Sequence, residues 1–151
     1  MTIDLRPSRP EEHEELFEIW STAVDATHHF ISKEDRVEIA EQVRTYLHSA
    51  RLIVAATAGD VPVGFMDVGD GEIRALFVHA SHHGCGIGRE LVSHATRMSP
   101  SLKVDVNEQN EQAVLFYARL GFKRSGRSPT DGDGRPYPLL HLSLVKEGAE
   151  K

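Results

Sequence analysis

Three alternating glycines, Gly84, Gly86 and Gly88, stand between an apolar run, Ala75-Leu76-Phe77-Val78, and a segment in which Leu91, Val92, Ala95 and Met98 recur at helical spacing. A strand, a glycine turn and a helix in that order leave the first-turn N–H groups of the helix without intrahelical partners. With the helix dipole behind them and no side chains in front, those groups form an anion site suited to phosphate oxygens. Spacing excludes two common phosphate loops. A Walker loop needs Lys-Ser/Thr after its last glycine, where this chain has Arg89-Glu90. A dinucleotide fingerprint needs a third glycine three places beyond the second, and counting from Gly84 or Gly86 finds Arg89 or Leu91.

A second motif, Asn107-Glu108-Gln109-Asn110-Glu111-Gln112-Ala113-Val114-Leu115-Phe116-Tyr117-Ala118-Arg119-Leu120-Gly121-Phe122, follows after a further apolar run. Asn107 and Asn110 are both good N-cap residues. Ala113, Phe116 and Leu120 fall on one helical face, with Asn110, Ala113 and Tyr117 on an adjoining one. Gly121 supplies the left-handed residue that ends the helix before a strand begins at Phe122.

Together the two motifs resemble those of the GCN5-related N-acetyltransferases. Their pyrophosphate loop reads Arg or Gln, two residues, Gly, one residue, then Gly or Ala; here those positions are His83, Gly86 and Gly88. His83 departs from the pattern, which weakens one polar contact and leaves the backbone cradle intact. The family's other signature, Asn-x-x-Ala-x-x-Phe-Tyr-x-x-x-Gly-Phe, is matched from Asn110 to Phe122.

The remaining pattern fits that fold. Thr2 to Arg6 reads as a first strand, and Ser8-Arg9-Pro10-Glu11 has the form of a capping box with proline in the first turn. Leu16, Ile19, Trp20, Ala23 and Val24 stripe the helix that follows, and Asp25 to Ile31 breaks it. Ser32 caps a second helix with Ile39, Ala40, Val43 and Leu47 on its apolar face. Strands are expected at 52–57, 63–68, 72–78, 102–106, from 122, and at 139–145. The order β-α-α-β-β-β-α-β-α-β-β matches the acetyltransferase fold: an α/β (α+β) mixed sheet of about seven strands, splayed between strands 4 and 5, with four helices. The parallel pair is expected at 72–78 and 102–106, joined by the helix after the glycines.

At 151 residues the chain has the length of one domain, read as 1–146 with a polar tail over 147–151. Its N-terminus lacks a basic segment followed by an apolar one, and its longest near-apolar run, Leu52 to Ala58, is too short to span a bilayer. A single cysteine, Cys85, excludes an internal disulfide framework, and the expected location is cytoplasmic. A net charge of −6 argues against a nucleic-acid partner and fits a neutral or cationic amine. Monomer and homodimer both stay open.

The resemblance implies direct transfer of acetyl from acetyl-CoA to a primary amine. It assigns backbone contacts with the pantetheine arm to Leu76, Phe77 and Val78. It assigns the pyrophosphate to the stretch His83, Gly84, Cys85, Gly86, Ile87, Gly88 and Arg89, with Asn107, Asn110 and Phe116 also on the cofactor side. Tyr117 matches the family's tyrosine and is expected to donate a proton to the departing thiolate. The base stays open between Glu72, where some relatives carry a glutamate, Asp25, His28 and His29 in the region that lines the acceptor pocket of relatives, and water. The chain looks like small bacterial members with a protein-lysine acceptor. A small-molecule amine (polyamine, amino acid or aminoglycoside) is the alternative, as is a non-catalytic acetyl-CoA-binding module.

Other residues carry weaker signals. His79, His82, His83 and Cys85 lie on a turn without a distant partner motif, so no metal is expected. Cys85 at a helix start has the setting of a reactive thiol, or of a side chain pointing away from phosphate. Tyr137, fixed between Pro136 and Pro138, reads either as an acceptor-pocket wall or as an aromatic over the core.

Overall fold

A computed structural model describes residues 2–145; the expected tail over 147–151 lies outside them. The strands are β1 (Ile3–Pro7), β2 (Ile53–Thr57), β3 (Pro62–Gly69), β4 (Glu72–Val78), β5 (Ser101–Asn107), β6 (Lys123–Ser128) and β7 (Leu139–Val145). The helices are α1 (His13–Thr27), α2 (Lys33–Ser49), α3 (Ile87–Met98) and α4 (Glu111–Arg119), with 3-10 turns at Pro10–Glu12 and Ala80–His82. The strands pair in the order β1-β2-β3-β4-β5-β7-β6. The β4–β5 pair is parallel, as expected, while β1–β2, β2–β3, β5–β7 and β6–β7 are antiparallel. Although both parallel strands are seven residues long, their ladder holds two pairs, Glu72↔Lys103 and Ile73↔Val104. Residue contacts group the described residues into two compact units, 2–68 with 75–92, and 69–74 with 93–145.

In the first unit the α1 stripe Leu16, Ile19, Trp20 and Val24 packs with Leu47, Leu52, Val54 and Phe65. Of the expected α2 face, Leu47 is buried and Ile39, Ala40 and Val43 are half-buried, as on a peripheral helix whose other faces are polar. The expected break at Asp25 lies inside α1, which continues to Thr27 because Thr27 Oγ1 donates to the Ala23 carbonyl at 2.8 Å and the His28 N–H bonds the Val24 carbonyl. Ser32 caps α2 as expected, accepting from the Asp35 N–H.

The first turn is built differently from the expected capping box. Ser8 Oγ accepts from the Leu52 N–H, so it ties the chain to the start of β2 instead of capping a helix. The capping carboxylate is Glu12, which accepts from the Arg9 N–H at 2.8 Å. Glu12 is buried, and Arg6 holds both of its oxygens, at 3.0 and 2.6 Å. This bidentate pairing holds the carboxyl below its ordinary pKa, against the opposing effect of burial.

Gly64 interrupts β3 where two neighbours come close. A Cβ there would lie 3.2 Å from Ile87 Cγ2, on the first residue of α3, and 3.2 Å from the Phe77 carbonyl oxygen on β4. A strand glycine at a close approach is what the packing requires. Its absent side chain lets Ile87, 1 % exposed, seat the start of α3 against β3.

In the second unit β5 alternates cleanly: Leu102, Val104 and Val106 are buried, while Ser101, Lys103 and Asp105 are exposed. Asn110 is the α4 cap, its Oδ1 accepting from the Ala113 N–H at 3.2 Å, whereas Asn107 ends β5. Gly121, at φ +98°, ends the helix as expected. Met98 is 54 % exposed and leaves the expected α3 stripe, because it falls in the last turn of the helix. Leu91, Val92 and Ala95 are buried as expected.

Gly64→Val tests the close approach. Its branched side chain meets a backbone oxygen that cannot rotate away, so thermal or urea unfolding should show a loss of about 1–3 kcal/mol. Stability equal to the parent would mean that the approach is not a constraint.

Candidate active site

The glycine segment forms the loop its spacing predicts. Gly84 and Gly86 sit at φ +79° and +83°, where an L side chain is strained, and a Cβ on either would meet nothing within 4 Å. Both therefore serve the backbone path and leave the space before the loop open. The first intrahelical bond of α3 runs from the Glu90 N–H to the Gly86 carbonyl. The N–H groups of Ile87, Gly88 and Arg89 thus precede any intrahelical partner, as an anion cradle needs. The Ile87 side chain belongs to the core, so only its backbone is available to a ligand.

His83 has a definite place. Its Nε2 lies 2.8 Å from the Val78 carbonyl, which can only accept, so this nitrogen carries a proton and donates. The ring thereby braces the loop against the end of β4. Cys85 is exposed, and its thiol lies 3.9 Å from the His83 carbonyl. Leu76, Phe77 and Val78 are half-buried on β4, and Phe77 also packs on the core of the first unit.

His28 caps the C-terminus of α1, and its tautomer follows from the hydrogen bonds around it. The one proton of the Thr27 hydroxyl goes to the Ala23 carbonyl. The contact of 2.7 Å between Thr27 Oγ1 and His28 Nδ1 must therefore be donated by the imidazole, which leaves Nε2 with a free lone pair. Burial, with a smaller contribution from His29, lowers the pKa of His28 to about 4. The ring is neutral at physiological pH. Asp25 instead pairs with Arg36 on α2.

Tyr117 lies between Phe116 and Phe122, ring centroids 5.0 and 5.2 Å away, and is 6 % exposed. Burial pushes its phenol well above the ordinary value, so it stays protonated. No hydroxyl partner is found among the described residues, yet the oxygen is not a sealed orphan; the small residual exposure includes it. Asn110, at the head of the same helix, is buried with its side chain spent on capping. Phe116 is half-buried.

Glu72 is exposed at the start of β4, opposite Lys103. It belongs to the second unit and His28 to the first. Tyr137 is buried, as a core-covering aromatic is. Among the described residues no group of three or more His, Cys, Asp or Glu side chains is arranged to hold a metal ion, and no helix is long and apolar enough to cross a membrane. A surface cavity of about 360 Å³ in the first unit, between Glu15, Glu18 and Ile19 of α1 and His79, Ser81 and His82, takes none of the sequence-predicted site residues. Gly64 is the site residue that sequence reasoning missed, although an isolated glycine in a strand pattern is a signal for close backbone approach.

A family model described as an acetyltransferase (GNAT) domain matches residues 14–137. The chain belongs to this family. It is 52% identical over 145 residues to peptidyl-lysine N-acetyltransferase YjaB of Escherichia coli, covering 96% of this chain and 99% of that one. The solution structure of apo-form YjaB from Escherichia coli superposes with a TM-score of 0.93, covering 97% of this chain and 99% of that one. A structure of yncA from Salmonella typhimurium with its cofactor acetyl-CoA shares the fold at 20% identity, with a TM-score of 0.64 and coverage of 96% and 94%.

Two outcomes follow. Between pH 6.5 and about 4 the unfolded chain binds a proton at His28 that the folded chain does not, so this group lowers stability on acidification, by at most about 3 kcal/mol. Above pH 6.5 both states are neutral and the group contributes nothing. His28→Asn should therefore narrow the stability difference between pH 7 and pH 4.5 in urea titrations; an unchanged difference would refute the half-buried neutral ring. Gly86→Glu places a strained backbone and a negative charge at the cradle, and calorimetry should show loss of acetyl-CoA binding.

Proposed function

We propose that this chain transfers acetyl from acetyl-CoA to the side-chain amine of a peptidyl lysine, with residues 1–146 working as one transferase domain. The observation that carries the acceptor is the 52% identity over nearly the whole length of a relative named for that activity. The cofactor reading rests on the loop itself: three unpartnered helix N–H groups, two glycines at positive φ and open space before them. They suit a pyrophosphate.

The N–H groups of Ile87, Gly88 and Arg89 would hold the phosphates, and β4 from Leu76 to Val78 would pair with the amides of the arm as an added strand does. His83 acts from behind: with Nε2–H on Val78, it fixes the loop to the strand that carries the arm. Acetyl-CoA supplies the activated acyl group as a thioester. The chain's own tasks are to bind it, orient the amine and manage two protons.

Tyr117 suits the acid side. A phenol kept protonated by burial can donate to a thiolate of intrinsic pKa ~8.5. His28 suits the acceptor side as a positioning group. Its Nε2 lone pair is fixed by Thr27, and its low pKa makes it a hydrogen-bond acceptor for the amine, not a store for its proton. Glu72, exposed at the start of β4, and water are the remaining candidates for the base.

Tyr117→Phe should lower kcat by about 10- to 100-fold with acetyl-CoA affinity nearly unchanged. A variant as fast as the parent removes the phenol from the reaction. The acceptor is tested by incubating the protein with acetyl-CoA and a panel of lysine peptides, polyamines, amino acids and aminoglycosides, with products read by mass spectrometry. Lysine Nε-acetylation of peptides is the expected result; acetylation confined to a small amine would overturn the assignment.

A further inference from the structure

We propose that Ser128, His141 and Asp105 form a nucleophile relay on the second unit, with Ser128 reactive toward activated acyl esters. The three residues lie on three adjacent strands. His141 Nδ1 is 2.6 Å from Asp105 Oδ1, and His141 Nε2 is 2.7 Å from Ser128 Oγ. A carboxylate only accepts, so in the neutral ring Nδ1 carries the proton, and Nε2 is left to accept from the Ser128 hydroxyl. Nucleophile to base and base to orienting carboxylate, each within hydrogen-bond reach, is the arrangement that activates a serine.

Three features of the chain build it. Asp105 on β5 stands directly opposite His141 on β7, on the exposed side of the β5 alternation. On β6 the register shifts between Arg124 and Gly126, so Ser125 is the extra residue of a bulge. Without the bulge the parity of β6 would be reversed, and Arg127 instead of Ser128 would share a face with His141. The bulge also sets Gly126 opposite His141, where a Cβ would lie 3.3 Å from the ring's Cδ2. The glycine leaves the imidazole room, and Ser125 Oγ donates to the His141 carbonyl at 3.2 Å, pinning the strand. His141 and Ser128 are half-buried and Asp105 is exposed, so an incoming ester meets the relay from solvent. β6 is the last strand in the order, so the relay lies at the edge of the sheet.

With an aryl ester, Ser128 Oγ attacks the carbonyl carbon and its proton passes to His141 Nε2. The bond to the aryl oxygen breaks, its electron pair and the proton from His141 Nε2 leave together as the phenol, and an acyl-serine beside a neutral imidazole remains. Water then attacks the acyl carbon with His141 as base, releasing the carboxylic acid and returning the proton to Ser128. Asp105 is a positioning residue in both steps. None of this draws on the cofactor loop, so it stands apart from the acetyltransferase reading.

The test treats the whole protein with p-nitrophenyl acetate and, separately, with a fluorophosphonate, and locates the adducts by peptide mass spectrometry. An adduct on Ser128, formed about 100-fold more slowly in His141→Asn, is the expected result. Asp105→Asn should slow it as well at unchanged melting temperature, with part of the rate restored in Asp105→Glu. Ser128→Ala should keep its amine acetylation while losing the adduct. No adduct on Ser128 in the parent, adducts only at other residues, or a rate on Ser128 indifferent to His141→Asn would each overturn the proposal.

Discussion

The glycine loop between β4 and α3 depends on a contact made possible by a missing side chain. Gly64 lets the first residue of α3 and the carbonyl of Phe77 approach β3 to a separation that any Cβ would contest. Because Ile87 is locked there, the helix start is fixed relative to the end of β4, and the loop between them has both ends anchored. His83 adds a third anchor by donating to the Val78 carbonyl. Positive φ at Gly84 and Gly86 then turns the backbone while keeping the space in front of it clear. A cradle of backbone N–H groups works only if it is rigid before the ligand arrives, since its donors contribute most when they need no reorganisation.

Burial sets the protonation states around the proposed chemistry. The same effect acts in opposite senses on two groups: it holds the Tyr117 phenol protonated and the His28 imidazole unprotonated. Low polarity favours the neutral form of each, which makes one a donor and the other an acceptor at physiological pH. Thr27 adds direction to the second by consuming the Nδ1 proton of His28. His141 is treated differently, at the surface and beside a carboxylate, so that its free nitrogen faces a serine.

The sheet, the four helices and the loop were legible in the sequence because each rests on local rules: alternation in β5, the α1 stripe, Ser32 and Asn110 as caps, and glycines where φ is positive. Errors gathered where a side chain had a distant partner. Ser8 bonds Leu52 instead of capping, and Asp25 lies within a helix that backbone and Thr27 hydrogen bonds extend. The Ser125 bulge was equally hidden, since one extra residue in β6 shows only against β7. Of the proposed site, the glycine loop was readable because backbone and glycine carry it. The proposed acceptor side was not, because the state of His28 depends on burial and tautomer, which no spacing encodes.

The most direct test is an NMR titration that follows backbone amide resonances as acetyl-CoA is added. The account predicts that the largest shifts fall on Gly84 to Arg89 and on Leu76 to Val78, saturating together. Binding that leaves those amides unmoved, or that perturbs only residues elsewhere, would contradict it.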